Sequence, residues 1–396
     1  MDFLNQLVSD VNGVLWGVFF LIPLLCGTGI FYTIKLRFIQ VRKFGLAARF
    51  LLGGASLFGK RADKSGMSSF QALATAVAAQ VGTGNVAGTA TALVAGGPGS
   101  LFWLWVAAFF GMATIFAEAV LAQTYRTKDE QGRVLGGPAY YITLGMGEKW
   151  RPLAVFFSIA IIIALGCIGN MVQSNSIAHA MQTAFNVPAA VSGVVCAVLA
   201  GLVFFGGVGR LASVTEKIVP FMAAIYLIGG LWVIGAHITE VIPAFRLIFV
   251  AAFDPEAVMG GALGLTVAKA MQFGVARGLF SNEAGMGSTP HAHAVARVKH
   301  PAEQGLAAII GLFIDTFIVV NMTAFVILCT GSLDGTTTGI ALTQKAFTLG
   351  LGTIGNGFVA VCLLFFAFTT IVGWYFFAEQ NVKYLVGVRY VSIYRV

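Results

Sequence analysis

Long apolar runs separated by short basic stretches set the pattern of this chain. Measured against the roughly 20 residues a helix needs to cross a bilayer, that pattern predicts nine spans, at 14–34, 68–97, 100–125, 152–182, 189–208, 218–237, 258–288, 303–330 and 353–379. The stretch 238–257, with Pro243 and Pro255 as breakers, reads as an external segment, and 331–352 as another.

Two of the nine spans are irregular at their centres. In the second, Gly82-Thr83-Gly84-Asn85 interrupts a run that is otherwise apolar, although each glycine inside a helix costs about 1 kcal/mol relative to alanine. In the seventh, 273–288 reads FGVARGLFSNEAGMGS, with four glycines, a charged pair and an asparagine. Irregular backbone at membrane depth persists only where protein buries it or where it lines a wet cavity. Half-helix ends leave N–H groups for an anion and C=O groups for a cation. Gly84 and Gly88 alone also fit close helix packing. A dinucleotide fingerprint is rejected, because its third glycine comes one position late and no strand precedes the loop. Two breaks so far apart in the chain are the sequence pointer to an inverted repeat with its site between discontinuous helices.

Composition fixes the solvent. The chain is 58% hydrophobic and 10% charged, with mean hydropathy +0.87, whereas a soluble domain is about 25% charged. It is therefore read as an all-α polytopic membrane protein. The five cysteines are odd in number and all apolar in context, so they imply no disulfide framework. The net charge of +8 reports basic loops and not nucleic-acid binding. Lys35, Arg37, Arg42, Lys43, Arg49, Lys60 and Arg61 follow the first span and assign that side to the cytoplasm, with the N-terminus outside.

Polar residues inside the spans are the candidates for chemistry. Asn170, Gln173 and Asn175 lie in the fourth span, as helix-pairing amides or as the wall of a cavity. Arg277 and Glu283 in the seventh are costly in lipid, so they are expected to pair with each other, with Glu118 of the third span or with freed backbone, as a gating or structural charge group. Asp315 in the eighth offers a cation or proton ligand, or a helix-pairing hydrogen bond. Thr369 and Thr370 in the ninth would supply hydroxyl oxygens to a hard cation. His291 and His293 form a His-x-His pair without the carboxylates or cysteines of a metal site. No nucleophile stands beside a base, so no enzyme is expected. A channel lined by the glycine breaks is the rival class, and the absence of long loops counts against a scaffold.

The motifs VGTGNVAGTATAL (81–93), FAEAVLAQTYR (116–126), GGPAYYI (136–142), GNMVQSNSIA (169–178), RGLFSNEAGMGS (277–288) and AFTTIVGW (367–374) carry a resemblance over nearly the whole chain. In that order they resemble the alanine or glycine:cation symporter family, the sodium:alanine symporters of bacteria and archaea, which is similar to transporters of the leucine-transporter fold. The resemblance implies an extra N-terminal helix and basic loop over 1–67, a first five-helix repeat over 68–237, an external segment at 238–257 and a partial second repeat of three helices over 258–396. Relatives would continue through about two further helices, so the second repeat is expected to be incomplete. It implies sodium-coupled import of a small neutral amino acid, alanine or glycine, across a bacterial or archaeal plasma (inner) membrane by a monomer without a cofactor. Proton coupling and a glutamine-type substrate remain alternatives. By motif match, Thr83, Gly84, Asn85, Gln173, Phe273, Gly274 and Trp374 would bind the amino acid. The carbonyls of Ala78 and Val81 and the hydroxyls of Thr369 and Thr370 would bind sodium.

Overall fold

A computed structural model of the chain describes residues 2–17, 20–54, 66–254 and 266–395. Helices dominate. In chain order they are α1 (Asp2–Leu15), α2 (Leu21–Lys35), α3 (Ile39–Arg42), α4 (Phe44–Gly54), α5 (Ser69–Gln80), α6 (Thr89–Gly96), α7 (Ser100–Thr124), α8 (Pro138–Met146), α9 (Arg151–Ile161), α10 (Asn170–Phe185), α11 (Ala189–Phe204), α12 (Gly207–Ala236) and α13 (Val241–Phe253). Then follow α14 (Val267–Asn282), α15 (Pro290–Ala294), α16 (Pro301–Leu312), α17 (Asn321–Cys329), α18 (Gly339–Leu351) and α19 (Gly355–Val386). A two-residue antiparallel pair, Thr127–Lys128 with Val134–Leu135, closes a small hairpin before α8.

Among the described residues, five helical stretches are long and apolar enough to cross a membrane: Ser100–Thr124, Glu148–Phe185, Gly207–Ala236, Pro301–Cys329 and Gly339–Val386. Three of these run through or beside wide π-type turns or short joins, at Ile162–Gly169, Phe313–Val320 and Gly352–Ile354. The second and seventh expected spans miss the length criterion because each is interrupted, as their glycine content requires. The part of the seventh at 258–265 lies outside the described residues, as do Lys60 and Arg61.

The burial pattern follows from the apolar solvent. α19 is buried over most of its length and packs against α10, α12 and α5. Its Phe366, Trp374, Phe376 and Phe377 are among the largest fully buried side chains. α10, α11 and α12 instead present Met171, Val194, Leu202, Phe221, Ile228 and Trp232 outward, which suits contact with lipid.

Three expectations are corrected. The first span, expected as one helix over 14–34, divides into α1, which ends at Leu15, and α2, which begins at Leu21. The segment at 238–257 is no loop: α13 occupies most of it and packs on α7, α14 and α17. Pro243 takes the third helical position, where a missing N–H removes no intrahelical bond. In 331–352, α18 buries Leu342, Thr343, Gln344, Ala346 and Phe347, and Thr343 Oγ1 donates to Val86 O at 3.0 Å. At 13 residues α18 is too short to be a span.

Candidate functional site

The first break is made by Val81 and Gly82. α5 starts with a full capping box, Ser68 Oγ accepting from Gln71 N and Gln71 Oε1 accepting from Ser68 N. It stops where Val81 turns to extended backbone at φ −81 and ψ 92. Asn85 Oδ1 then accepts from Gly82 N at 2.9 Å, a side-chain cap for the second half-helix. The next turn, Gly84–Gly88, is wide and of π type. Gly82 is required by space: a Cβ there would stand 2.4 Å from Thr370 Oγ1 and 3.1 Å from Gln173 Oε1. At Gly84 the nearest atoms to an added Cβ are Ser281 Cα at 3.3 Å and Phe280 Cδ1 at 3.4 Å, a tight fit but no overlap.

The second break turns on left-handed backbone. Glu283 ends α14 at φ 59, and Gly285 and Gly287 follow at φ 81 and φ 76. Glycine adopts such angles freely, whereas a residue with a Cβ needs to be held there. Glu283 is held by its carboxylate, which accepts from Trp374 Nε1 and Ser288 Oγ, both at 2.5 Å. Glu118 of α7 accepts the free N–H groups of Gly285 and Gly287, each at 3.1 Å. The two breaks lie against each other, with Gln80 Nε2 donating to Asn282 O at 2.7 Å.

Between them the candidate ligands fall into two groups. Thr370 Oγ1 lies 3.0 Å from Ala78 O and 3.3 Å from Val81 O, so one hydroxyl and two break carbonyls converge on one buried spot. Three uncharged oxygens with no nitrogen or sulfur among them are the donor set of a hard monovalent cation. Both threonine hydroxyls donate to Phe366 O at 3.0 Å, but Thr369 does not join the break carbonyls, because its hydroxyl faces Met222 Sδ at 3.5 Å. Beside this spot Thr83 N donates to Gln173 Oε1 at 3.1 Å. Phe280 and Trp374 face each other edge to face at 6.3 Å, next to Gly84. Gly169 leaves room for the Trp374 ring, since a Cβ there would meet it at 2.5 Å.

Asp315 forms a third group. Its carboxylate accepts from Asn85 Nδ2 at 2.6 Å, from Ser281 Oγ at 3.1 and 3.2 Å and from Thr316 Oγ1 at 2.9 Å. No cation is among these partners, so the side chain links both breaks to the eighth span through hydrogen bonds alone.

Several expected residues stand elsewhere. Gly274 abuts α7, where a Cβ would come within 2.2 Å of Ser100 O, and Phe273 packs beside Gly96 of α6. Both lie on α14 more than a turn before the break, so the structure does not bring them to Thr83. Phe280 and Ser281 occupy that place instead. They lie within the RGLFSNEAGMGS motif, and counting turns back from the left-handed Glu283 would have singled them out. Arg277 pairs with neither Glu283 nor Glu118. It is half-buried, borders a cavity of about 430 Å³ with Asn12, Gly13, Trp16, Phe273 and Phe280, and makes no hydrogen bond or ion pair among the described residues. The expected charge group is thus replaced by carboxylates bonded to backbone, indole and hydroxyl donors, with the arginine apart. Of the three fourth-span amides only Gln173 is buried.

The His-x-His pair is used for packing. His291 Nδ1 contacts Ser288 O at 2.7 Å and its Nε2 contacts Asn381 Nδ2 at 2.9 Å, while His293 Nδ1 contacts Gln304 Oε1 at 2.8 Å. Burial pushes both imidazoles down to about 4, so they are neutral at physiological pH. Among the described residues no cluster of three or more His, Cys, Asp or Glu side chains could hold a metal ion.

The family model described as the sodium:alanine symporter family matches residues 1–396. The chain is 46% identical to an uncharacterized transporter of Haemophilus influenzae, covering 99% of this chain and 85% of that one. It is 42% identical to the sodium/alanine symporter AgcS of Methanococcus maripaludis, covering 100% of this chain and 86% of that one. Among solved structures, a manganese transporter of Eremococcus coleocola is similar in fold, with a TM-score of 0.55 and 12% identity over 83% of this chain and 68% of that one.

Proposed function

Because the chain belongs to the sodium:alanine symporter family, a family of multi-pass membrane transporters and not of enzymes, we propose that it imports a small neutral amino acid together with sodium. The observation that carries this reading is the convergence of Thr370 Oγ1 with the carbonyls of Ala78 and Val81 on the first break. In the proposed cycle, sodium takes these three oxygens and fixes the extended turn at Val81. That turn sets the direction of the N–H groups of Thr83 and Gly84. The substrate carboxylate replaces Gln173 Oε1 at Thr83 N, and the amide oxygen thus released accepts from the substrate ammonium. Ion and amino acid then share one piece of backbone, which couples them. Phe280 and Trp374 close over the side chain and leave space for little beyond a methyl group. One positive charge moving down about 100 mV is worth roughly 2.3 kcal/mol, enough for near 50-fold accumulation of a zwitterion.

The same reading takes 68–237 as a five-helix repeat and 258–396 as part of a second one related to it by inversion, in a plasma (inner) membrane with the N-terminus outside. A second reading concerns the ion. Among the described residues buried Asp315 has no cationic partner, which favours a proton as an additional or alternative coupling ion. The deciding experiment is uptake of labelled alanine into proteoliposomes under an imposed sodium gradient, a pH gradient, or neither. Uptake that saturates and requires sodium supports symport, while flux that rises linearly with alanine and ignores both gradients points to a channel.

A further inference from the structure

α19 ends, far from the substrate site, beside a second constellation that the transport cycle does not use. A cavity of about 390 Å³ opens there, lined among others by Arg133, Gln380, Lys383, Arg395 and the glycine-rich turn at 206–209. The cations outnumber their partners. Among the described residues Glu379 is the one carboxylate in the lining, and it already serves Lys383 Nζ at 2.6 Å, Arg395 Nη2 at 3.2 Å and the Tyr375 hydroxyl at 2.5 Å. Arg133 gives its Nε to Asp129 Oδ2 at 2.7 Å, and its buried Nη2 finds no acceptor among the described residues.

Two further features point into the same space. Gln380 is 1% exposed, its Oε1 has no donor, and its amide makes no hydrogen bond among the described residues. A buried amide without partners costs about 1–3 kcal/mol, so an occupant that both accepts and donates would relieve it. The 30-residue α12 begins at Gly207 without a side-chain cap, and the residues of its first turn, Gly207, Val208 and Gly209, also line the cavity.

We propose that this cavity binds a phosphate-bearing anion. Arg133 Nη2, Lys383 and the α12 N–H groups would hold the phosphoryl oxygens, and Gln380 would take a hydroxyl of the same group through Oε1. The chemistry is that of a free phosphate or of an anionic lipid headgroup, and both would meet the same donors. Gly66 and Val295 also border the cavity. They flank the bridge in which Met67 N donates to Val295 O and Arg297 N to Met67 O, both at 2.9 Å. The anion would thereby sit where the start of the first broken span meets the end of the second.

The test is the unfolding temperature of the purified full chain. It is measured with increasing inorganic phosphate at constant ionic strength, and separately in phosphatidylcholine nanodiscs with and without phosphatidylglycerol. A saturable rise is expected, with the half-effect concentration raised about tenfold by Arg133→Gln and by Gln380→Leu, the loss expected for one charged hydrogen bond. A rise with phosphate alone assigns the site to a free anion, and a rise with phosphatidylglycerol alone assigns it to lipid. Should Gln380→Leu fail to fold, Arg133→Gln in the partly exposed hairpin still decides. No saturable rise with either probe, or an equal rise in wild type and Arg133→Gln, overturns the proposal.

Discussion

Replacing Gly82 by alanine tests the coupling proposal at its narrowest point. The added Cβ would lie 2.4 Å from Thr370 Oγ1, where ordinary contact begins at 3.4 Å, so the hydroxyl has to retreat by about 1 Å or rotate away. Either movement takes it out of reach of Ala78 O and Val81 O, now at 3.0 and 3.3 Å. Losing one oxygen ligand to a cation is worth about 1.5–3 kcal/mol, or roughly a 10- to 100-fold rise in the sodium concentration for half-maximal uptake. Gly88→Ala is the control within the same segment, because its Cβ would meet nothing closer than Thr83 O at 3.8 Å. Alanine also favours helix there. Initial rates of alanine uptake into proteoliposomes, titrated with sodium, separate the two variants. If Gly82→Ala keeps the wild-type sodium dependence, the Thr370 hydroxyl is not a sodium ligand and the coupling argument fails.

Three further outcomes are expected. Thr370→Val should raise the sodium requirement by at least tenfold and Thr369→Val by less than threefold, since only the Thr370 hydroxyl reaches the break; equal effects in sodium titrations would refute that distinction. Glycine and serine should compete with labelled alanine while aspartate and glutamate do not, and Arg277→Gln should leave this ranking unchanged because Arg277 takes no part in the bonds around Thr83 and Thr370; glutamate inhibition that disappears in Arg277→Gln would place the arginine in the substrate path. Asp315→Asn can keep its bonds to Asn85, Ser281 and Thr316, so sodium-driven uptake should persist within a few-fold, and its abolition alongside normal alanine binding would move the coupling ion to Asp315.

The sequence by itself determined the solvent, the approximate spans and the positions of both breaks. These are local properties: apolar length is set by the bilayer, and glycine is demanded wherever the backbone turns left-handed or another chain segment leaves no room for a Cβ. Gly82, Gly285 and Gly287 were legible for that reason. So were Ala78, Val81, Thr370, Thr83 and Gln173 as members of one neighbourhood, through motif resemblance rather than periodicity. Only the tertiary structure decided which side of each helix meets the break. Helical residues a whole number of turns apart share a face, so Phe273 and Phe280, two turns apart, are equivalent in hydropathy, yet only Phe280 lies level with Gly84. Thr369 and Thr370 are adjacent in sequence and about 100° apart around α19, which sends one hydroxyl to Met222 and the other to the carbonyls. Partner choice for the buried charges was likewise invisible along the chain. Opposite charge favoured a pair between Arg277 and Glu283, but the left-handed turn at Glu283 directs its carboxylate to Trp374 and Ser288, and six residues of helix carry the arginine away.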